Sequence, residues 1–230
     1  MDFKMEDFYK DNAFLKDKYR YLGGRLEGEV YQVNNLLVGK KFNAPRDYSV
    51  IHCSNAMIET KQQSFLQPIF SLTKDNKVHA SFSNYFNGKS LKEDLGVVPF
   101  CVVISSVRDF ICDIERLSLA GIMLRDVSDD SIMYNEKVMK AIDTTQYELL
   151  KKFSFDTLYH DNLLTFFVSS GCFNIPEIEY LRRQNRLLDE IYLDLDNYDS
   201  MFYELKSTLE NLCEEPVSCI NEGLAKVKKC

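Results

Sequence analysis

The sequence contains no tryptophan, and only 9 glycines and 5 prolines occur among its 230 residues. This scarcity excludes collagen-like and low-complexity chains. The longest unbroken apolar run, from Val97 to Ile104, includes Pro99 and is far shorter than the roughly 20 apolar residues that a membrane-spanning helix needs. With 35 acidic and 28 basic residues, the net charge is −7 and no basic stripe is present. Neither a membrane nor nucleic acid is therefore expected as a partner.

Cysteine and histidine also occur in patterns that exclude common classes of small domain. The seven cysteines are scattered without a CxxC pair, and the three histidines do not lie at zinc-ligand spacing beside them. The N-terminal segment lacks a basic region followed by an apolar one, so it does not resemble a signal peptide. We therefore predict reduced thiols and a cytoplasmic protein.

The chain is 45% hydrophobic and 13% aromatic, enough to form the core of one large domain or two small lobes. Its first part is rich in strand patterns. Strands are predicted within residues 20 to 42, with an Asn34-Asn35 hairpin turn, and on either side of the Lys74–Lys77 turn. One helix, from Ser54 to Phe65 with Ser54 as its cap, is predicted between these strand pairs.

Beyond Gly88 the pattern becomes mostly helical. A short helical turn is predicted for Ser90–Leu95, and a long helix for Val102–Leu119, where apolar residues recur at helical spacing. Two short extended pieces follow, Ser131–Tyr134 and Val138–Ile142. Four further helices are then predicted, over residues 154–170, 176–195, 200–213 and 217–228.

Several segments carry residues that are typical of one enzyme family. Residues 23 to 31 read Gly-Gly-Arg-Leu-Glu-Gly-Glu-Val-Tyr, and Val38-Gly-Lys-Lys41 ends a predicted strand. Later, Leu124-Arg-Asp126 precedes Ser131, and Asp143 follows a predicted hairpin. In these features the chain resembles the protein-kinase family, which combines a Gly-rich loop, a strand lysine, a helix glutamate, an H-R-D-L-x-x-x-N loop and a D-F-G segment.

The Gly-rich loop is matched in part. Gly23, Gly28 and Val30 match the family pattern, whereas Arg25 stands at the middle glycine. Glycines let backbone amides approach phosphate oxygens without an intervening side chain. The resemblance therefore implies that Gly23, Gly28 and Val30 border the nucleotide, and a plain turn between two strands is the alternative.

The strand lysine is present twice. Strand alternation places Gly39 and Lys41 on one face and Lys40 on the other. The resemblance implies that Gly39 leaves room for adenine, that Lys41 reaches the α- and β-phosphates, and that Glu59 pairs with Lys41. A register slip of one residue would transfer this role to Lys40, and solvent-exposed charges are the alternative for all three ionisable side chains.

Two aspartates match the acidic positions of the family. Asp126 would orient an attacking hydroxyl and accept its proton, while Asp143 would hold Mg²⁺. Ser131 takes the place of the asparagine metal ligand, and Met133 would floor the adenine pocket. Ordinary turn residues are the alternative interpretation of Asp126 and its acidic neighbours.

The resemblance implies an α+β, two-lobed protein-kinase-like fold, with a small strand-rich N-lobe (1–88) and a reduced helical C-lobe (89–230). It also implies ATP and Mg²⁺ as ligands and phosphoryl transfer to a hydroxyl. The serine at 131, Thr144-Thr145 in place of Phe-Gly, and the short segment after Asp143 depart from the family and favour low activity. A pseudokinase that acts as a scaffold for a protein partner is the alternative, and an unrelated α+β protein without a nucleotide site is a third possibility.

Overall fold

The structure is a computed structural model that describes residues 3–92, 95–170 and 198–227. The chain begins with a 3-10 helix, Met5–Tyr9, and the short helix α1, Asn12–Lys18. Helix α1 starts where it does because the Asp11 side chain accepts a hydrogen bond from the Phe14 backbone N–H at 2.8 Å, an ordinary N-cap.

The first half is built on a five-stranded antiparallel sheet. Its strands are Arg20–Arg25 (β1), Gly28–Gln32 (β2), Leu37–Arg46 (β3), Phe70–Lys74 (β4) and Lys77–Asn84 (β5), and their spatial order is β1-β2-β3-β5-β4. Both predicted hairpins are confirmed. In the β2–β3 turn, the Asn34 side chain accepts from the Leu36 N–H at 2.8 Å, which is the Asx-turn contact expected of asparagine.

One face of this sheet is covered by the N-terminal segment. Phe8 and Leu15 are fully buried there, in a cluster with Tyr31, Leu37 and Phe82. The ring of Phe8 lies 4.8 Å from that of Phe82, in edge-to-face geometry. The N-terminal helices therefore supply one layer of a small apolar core, and the opposite face of the sheet is left for the rest of the chain.

Helix α2, Ser49–Glu59, lies between β3 and β4 in the chain. It starts and ends earlier than predicted, and Ser54 is not its cap, because Ser54 lies within the helix and donates to the Val50 carbonyl at 2.7 Å. Cys53 and Met57 on its buried face belong to the core of the second half and not to the sheet cluster. Burial there raises the pKa of the Cys53 thiol to about 12.

The segment after α2 is bound to the second half by backbone contacts. Phe65 forms an isolated parallel bridge with Ala141, and the Ala141 N–H donates to the Ser64 carbonyl at 2.8 Å. Asp113, almost fully buried, accepts from the backbone N–H groups of Gln63 and Ser64 at 2.9 and 2.8 Å. The buried carboxylate of Asp113 thus holds the segment after α2 against the second half.

The second half is centred on the long helix α3, Phe100–Leu119, whose buried stripe confirms the predicted periodicity. The helical turn predicted for 90–95 does not begin at Ser90. Lys89–Ser90 instead form strand β6 because Ser90 pairs with Met133, and a 3-10 helix, Leu95–Val97, precedes α3.

After α3 the chain forms small sheets before it becomes helical again. Its strands are Ile122–Met123 (β7), Ile132–Tyr134 (β8), Met139–Ala141 (β9) and Glu148–Leu149 (β10). Strand β8 pairs with β6 and β9, and β10 pairs with β7. The two predicted extended pieces are thereby confirmed as a hairpin.

Helix α4, Phe155–Leu163, continues as a π-helix, Leu164–Ser169, and the helices Tyr198–Cys213 and Ile220–Val227 follow. The helix predicted for 176–195 lies outside the described residues. Among the described helices, none combines the length and apolar character needed to span a membrane. The α+β class, with a strand-rich first half and a helical second half, is confirmed.

Candidate functional site

The direction of the lysine side chains in β3 is decided by the pairing of the sheet. Gly39 stands opposite Tyr31 and Phe82, whereas Lys40 stands opposite Val30 and Ser81. Residues that stand directly opposite share one face of the sheet. Gly39 therefore belongs to the apolar face beneath the N-terminal helices, and Lys40 to the face that meets the second half.

Gly39 and Lys41 share one face of the sheet and Lys40 lies on the other, as expected, but the face of Gly39 and Lys41 is not the one that meets the second half. A Cβ atom on Gly39 would lie 2.5 Å from Phe8 Cζ, so glycine is required here by the Phe8 ring and not by an adenine. Lys41 donates to the Lys10 backbone carbonyl, and burial lowers the pKa of its ammonium group. Of the two lysines, the alternative choice, Lys40, reaches the second half.

Lys40 joins the two halves through a compact polar network. Its Nζ lies 2.5 Å from Asp143 Oδ1 and 3.1 Å from Thr145 Oγ1, both from the second half. The same Nζ lies 3.1 Å from Glu27 Oε2 in the β1–β2 turn. The other Glu27 oxygen accepts from Arg46 at 2.9 Å. The side chain of Lys40 is only 10% exposed. Its charge is therefore balanced by the carboxylates of Glu27 and Asp143 rather than by solvent.

Asp143 is held in this position by the chain that surrounds it. It follows the β8–β9 hairpin in a left-handed backbone conformation, φ 59°, and a one-turn 3-10 helix, Thr144–Gln146, follows at once. The Thr145 hydroxyl donates to Asp143 Oδ1 at 2.9 Å. Threonine at the position of the family's glycine therefore orients the carboxylate, which remains 41% exposed.

Glu59 does not join the network. Val50, Cys53 and Met57 form the buried face of α2, and Glu59, two residues beyond Met57, lies on the exposed side. Among the described residues it forms no ion pair with either lysine of β3, so the expected contact is wrong. Glu27 occupies the position of carboxylate partner instead.

The loop that carries Asp126 is anchored from α4. The buried Asn162 accepts from the Leu124 N–H through Oδ1 and donates to the Ile122 carbonyl through Nδ2, at 2.8 and 2.9 Å. Arg125 pairs with Glu148 at 3.2 Å. Asp126 is exposed in a left-handed conformation, φ 51°, and it accepts no hydrogen bond from the residues that the structure describes. Its carboxylate is therefore accessible from solvent.

Oxygen ligands for Mg²⁺ are present in modest number. The Ser131 carbonyl accepts from the Ile142 N–H at 2.7 Å, which places the Ser131 backbone next to the residue that precedes Asp143. Among the described residues, no group of three or more Cys, His, Asp or Glu side chains could hold a metal by itself. One carboxylate and one hydroxyl fit Mg²⁺ only where phosphate oxygens and water complete the octahedron, as they do in nucleotide sites.

The remaining predicted residues are distributed around Lys40. Val30 lies beside Lys40 on the same face. Gly28 permits the close approach of β2 to β3, since a Cβ atom there would lie 2.2 Å from the Lys41 carbonyl oxygen, and Gly23 has open space at its Cβ position. Met133 is half-buried on the middle strand of the small sheet, between Ser90 and Lys140.

A groove of about 370 Å³ lies beside the network. It shares Arg46 and Thr145 with the network and extends along Ser49, Tyr147 and Glu148. The segment after Asp143 thus forms one wall, and the start of α2 forms the other.

Sequence reasoning assigned no site role to four residues of the network and the loop: Glu27, Arg46, Thr145 and Asn162. Glu27 and Arg46 lie in a turn and at a strand end, where no hydrophobic period reports side-chain direction. The alternation of Tyr31, Val33 and Leu37 could have placed Lys41 on the apolar face, because all three are buried with the N-terminal helices.

No protein-family model matches the chain, and no curated protein resembles it closely. Among solved structures, the chain is similar to the kinase PK-1 of Cydia pomonella granulovirus, with 13% identity and a TM-score of 0.46 over 62% of this chain and 56% of that one. It is also similar to the twitchin kinase fragment of C. elegans, with 16% identity and a TM-score of 0.45 over 59% and 34% of the respective chains. This chain thus covers less than two thirds of either neighbour.

The order of elements within the chain defines the class of fold. A five-stranded antiparallel sheet receives a helix between β3 and β4, and a lysine of β3 meets an aspartate that follows a hairpin of the helical half. Protein kinases place their lysine on β3 and their metal-binding aspartate after the catalytic loop in the same way. The chain has a two-lobed, protein-kinase-like fold.

Proposed function

We propose that this protein binds ATP with Mg²⁺ between the sheet and the helical half, and that it transfers a phosphoryl group to a hydroxyl at a low rate. One observation supports the proposal above all others. Lys40 and Asp143 are 103 positions apart in the chain, yet their charged atoms are 2.5 Å apart. A cation for phosphate and a carboxylate for a metal are thereby available at one place.

The residues around this pair have the chemistry that a nucleotide phosphate requires. Lys40 would contact phosphate oxygens, and Asp143 with Ser131 would hold Mg²⁺. Val30 and Met133 would border the base. When bound, magnesium ATP supplies the transferable phosphoryl group. The accessible carboxylate of Asp143, 41% exposed, supports a metal role because a buried and fully paired carboxylate would have to lose its partners first.

Asp126 is the proposed proton acceptor. In the transfer, the acceptor oxygen would form a bond to the γ-phosphorus while the bond from that phosphorus to the ADP oxygen breaks. The hydroxyl proton would pass to the Asp126 carboxylate, and ADP would leave. The exposed side chain of Asp126 and the anchoring of its loop by Asn162 support this role.

A binding module without catalysis is the second candidate. It is favoured by the exposed Glu59 and by the contact between Glu27 and Lys40, since an active kinase uses the helix glutamate to orient its lysine. Such a module would hold a nucleotide, or nothing, and would act through a protein partner.

Thermal unfolding in the presence of ATP, with and without Mg²⁺, tests nucleotide binding. A ligand at 100 times its Kd stabilises a fold by about 2.7 kcal/mol, so the midpoint should rise clearly, and Asp143→Ala should abolish the part that depends on Mg²⁺. If millimolar ATP leaves the midpoint of the native protein and of every variant unchanged, the nucleotide proposal is wrong.

Formation of ADP in the presence of candidate acceptors separates the enzyme from the binding module. We expect Asp126→Asn to reduce turnover by at least about 100-fold, the usual contribution of a general base, and to leave ATP binding unchanged. Asp75→Asn is a matched control, because Asp75 also has a left-handed conformation, φ 51°, in the β4–β5 turn. Equal turnover in the two variants would exclude the catalytic role of Asp126.

A further inference from the structure

The ammonium group of Lys40 has no donor to spare. Lysine carries three N–H donors, and three acceptors surround Lys40 Nζ: Asp143 Oδ1 at 2.5 Å, Glu27 Oε2 at 3.1 Å and Thr145 Oγ1 at 3.1 Å. With the side chain 10% exposed, solvent offers little room for a fourth partner. A phosphate oxygen can bind Lys40 only when one of these contacts opens.

Glu27 is the contact whose release is least costly. It lies in the two-residue turn between β1 and β2, next to Leu26, which is 98% exposed. Its second carboxylate oxygen accepts from Arg46 at 2.9 Å. When Glu27 leaves Lys40, its charge therefore remains paired. Asp143 and Thr145 are instead held by each other and by the folded segment that follows the hairpin.

The charge of Glu27 makes its contact with Lys40 incompatible with a bound phosphate. A phosphate oxygen at hydrogen-bond distance from Lys40 Nζ would stand within a few ångströms of the Glu27 carboxylate, and like charges at such distances repel strongly where solvent is sparse. The neutral hydroxyl of Thr145 imposes no such repulsion, and the charge of Asp143 would be balanced by Mg²⁺ in the proposed site. Phosphate binding and the Glu27–Lys40 contact therefore compete.

We propose that Glu27 is an internal competitor for the phosphate site at Lys40. In the first state, Glu27 bridges Lys40 and Arg46, and the site is closed to anions. In the second state, Glu27 pairs with Arg46 alone, and Lys40 is free to bind phosphate. This inference rests on the proposed function, because it describes the regulation of that same nucleotide site.

The proposal predicts that removal of the Glu27 charge tightens ATP binding. The apparent Kd equals the intrinsic Kd divided by the fraction of molecules in the open state. With a bridged Lys40 as the dominant state, Glu27→Gln should lower the Kd for ATP by about tenfold or more. Glu27→Asp, which keeps the charge on a shorter side chain, should give a smaller gain. The measurement is isothermal titration calorimetry with ATP and Mg²⁺.

Glu29→Gln is the matched control. Glu29 lies two residues further along the same hairpin and pairs with Lys16 at 3.0 Å, away from Lys40. Glu29→Gln removes the same formal charge from the same hairpin, and it should leave the Kd for ATP within about twofold of the native value.

Arg46→Gln tests whether Arg46 draws Glu27 away from Lys40 in the open state. Without Arg46, Glu27 loses its second partner and should stay on Lys40, so ATP binding should weaken severalfold. In the Glu27→Gln background the same substitution should have no further effect, because the competitor is already absent. An equal loss in both backgrounds would mean that Arg46 acts on ATP directly and would overturn the proposed bridge.

The outcomes distinguish this inference from the proposed function. Tighter binding by Glu27→Gln supports both, including the case in which only the variant binds measurably. Equal binding by the native protein and Glu27→Gln overturns the competitor and leaves nucleotide binding intact. Weaker binding by Glu27→Gln also overturns it, since Glu27 would then orient Lys40 for the ligand. Absence of binding in both proteins overturns the proposed function and the inference with it.

Discussion

The two faces of the five-stranded sheet have opposite characters, although they are built from alternate residues of the same strands. One face packs Tyr31 and Phe82 against Phe8 in a closed aromatic cluster. The other presents Lys40 to Glu27 and Asp143. Adjacent residues of β3 are therefore subject to different constraints: packing against Phe8 requires glycine at position 39, and the carboxylates of Glu27 and Asp143 favour a cation at position 40.

The largest effect is expected from the apolar face. Phe8→Ala removes a fully buried ring and should lower the free energy of unfolding by about 3–5 kcal/mol, as large-to-small core substitutions do. Urea denaturation followed by circular dichroism measures this change. Phe14→Ala is the control, since Phe14 is 39% exposed. Similar losses for both variants would contradict the described core.

The attachment of the N-terminal segment should depend on pH. Burial raises the pKa of Asp7, but the hydrogen bonds from Lys18 and Tyr19 together lower it by a larger amount. The pKa of Asp7 therefore lies below the ordinary value. The stabilisation is complete above the unfolded pKa of about 3.9 and is lost as the pH falls through the lower folded pKa. Asp7→Asn should cost about 2–3 kcal/mol at neutral pH.

The measurement for Asp7 is the free energy of unfolding over a pH series from neutral to acid. The difference between the native protein and Asp7→Asn should shrink as the pH falls through the folded pKa of Asp7. A difference that stays constant over this range would show that the Asp7 carboxylate does not hold the segment.

Gly39→Ala tests on which face of the sheet residue 39 lies. The new methyl group would lie 2.5 Å from Phe8 Cζ and 2.8 Å from Phe82 Cε1, and overpacking of this kind costs about 1–2 kcal/mol. ATP affinity should not change. Phe8→Leu should relieve part of the cost in the double variant. A loss of ATP affinity without a loss of stability would show that Gly39 lies on the face of the sheet that binds the nucleotide.

The two lysines provide the most direct comparison of the faces and the smallest effect on the fold. Lys40→Met should weaken ATP binding at least about tenfold, equivalent to 1.4 kcal/mol, because it removes the proposed phosphate-binding cation. Lys41→Met should change the affinity by no more than about twofold. Calorimetric titration of both variants gives the answer, and a larger loss for Lys41→Met would reverse the assignment.

Much of the fold could be predicted because local signals determine it. Asparagine pairs and lysine-flanked turns locate the hairpins, and the apolar period of α3 is long enough to be unambiguous. The predicted boundaries of α2 are wrong because its buried residues pack against the second half and not against the sheet. No local sequence pattern reports such a tertiary contact.

A lysine and an aspartate of the polar network could be predicted as residue types, but their partners could not. Asp143 could be located from its spacing after a hairpin. The choice between Lys40 and Lys41 depends on which face the N-terminal helices cover, and the contact between Glu27 and Lys40 depends on how a turn folds back over the sheet. Both are long-range consequences of packing, and a shift of one residue in register reverses every side chain of a strand.

The bridge between Phe65 and Ala141 determines how α2 is attached. It links the end of α2 to the strand that leads into Asp143, and Asp113 clamps the same segment. Helix α2 is therefore attached to the second half both through its buried face and through the segment that follows it, although strands of the sheet flank it in the chain.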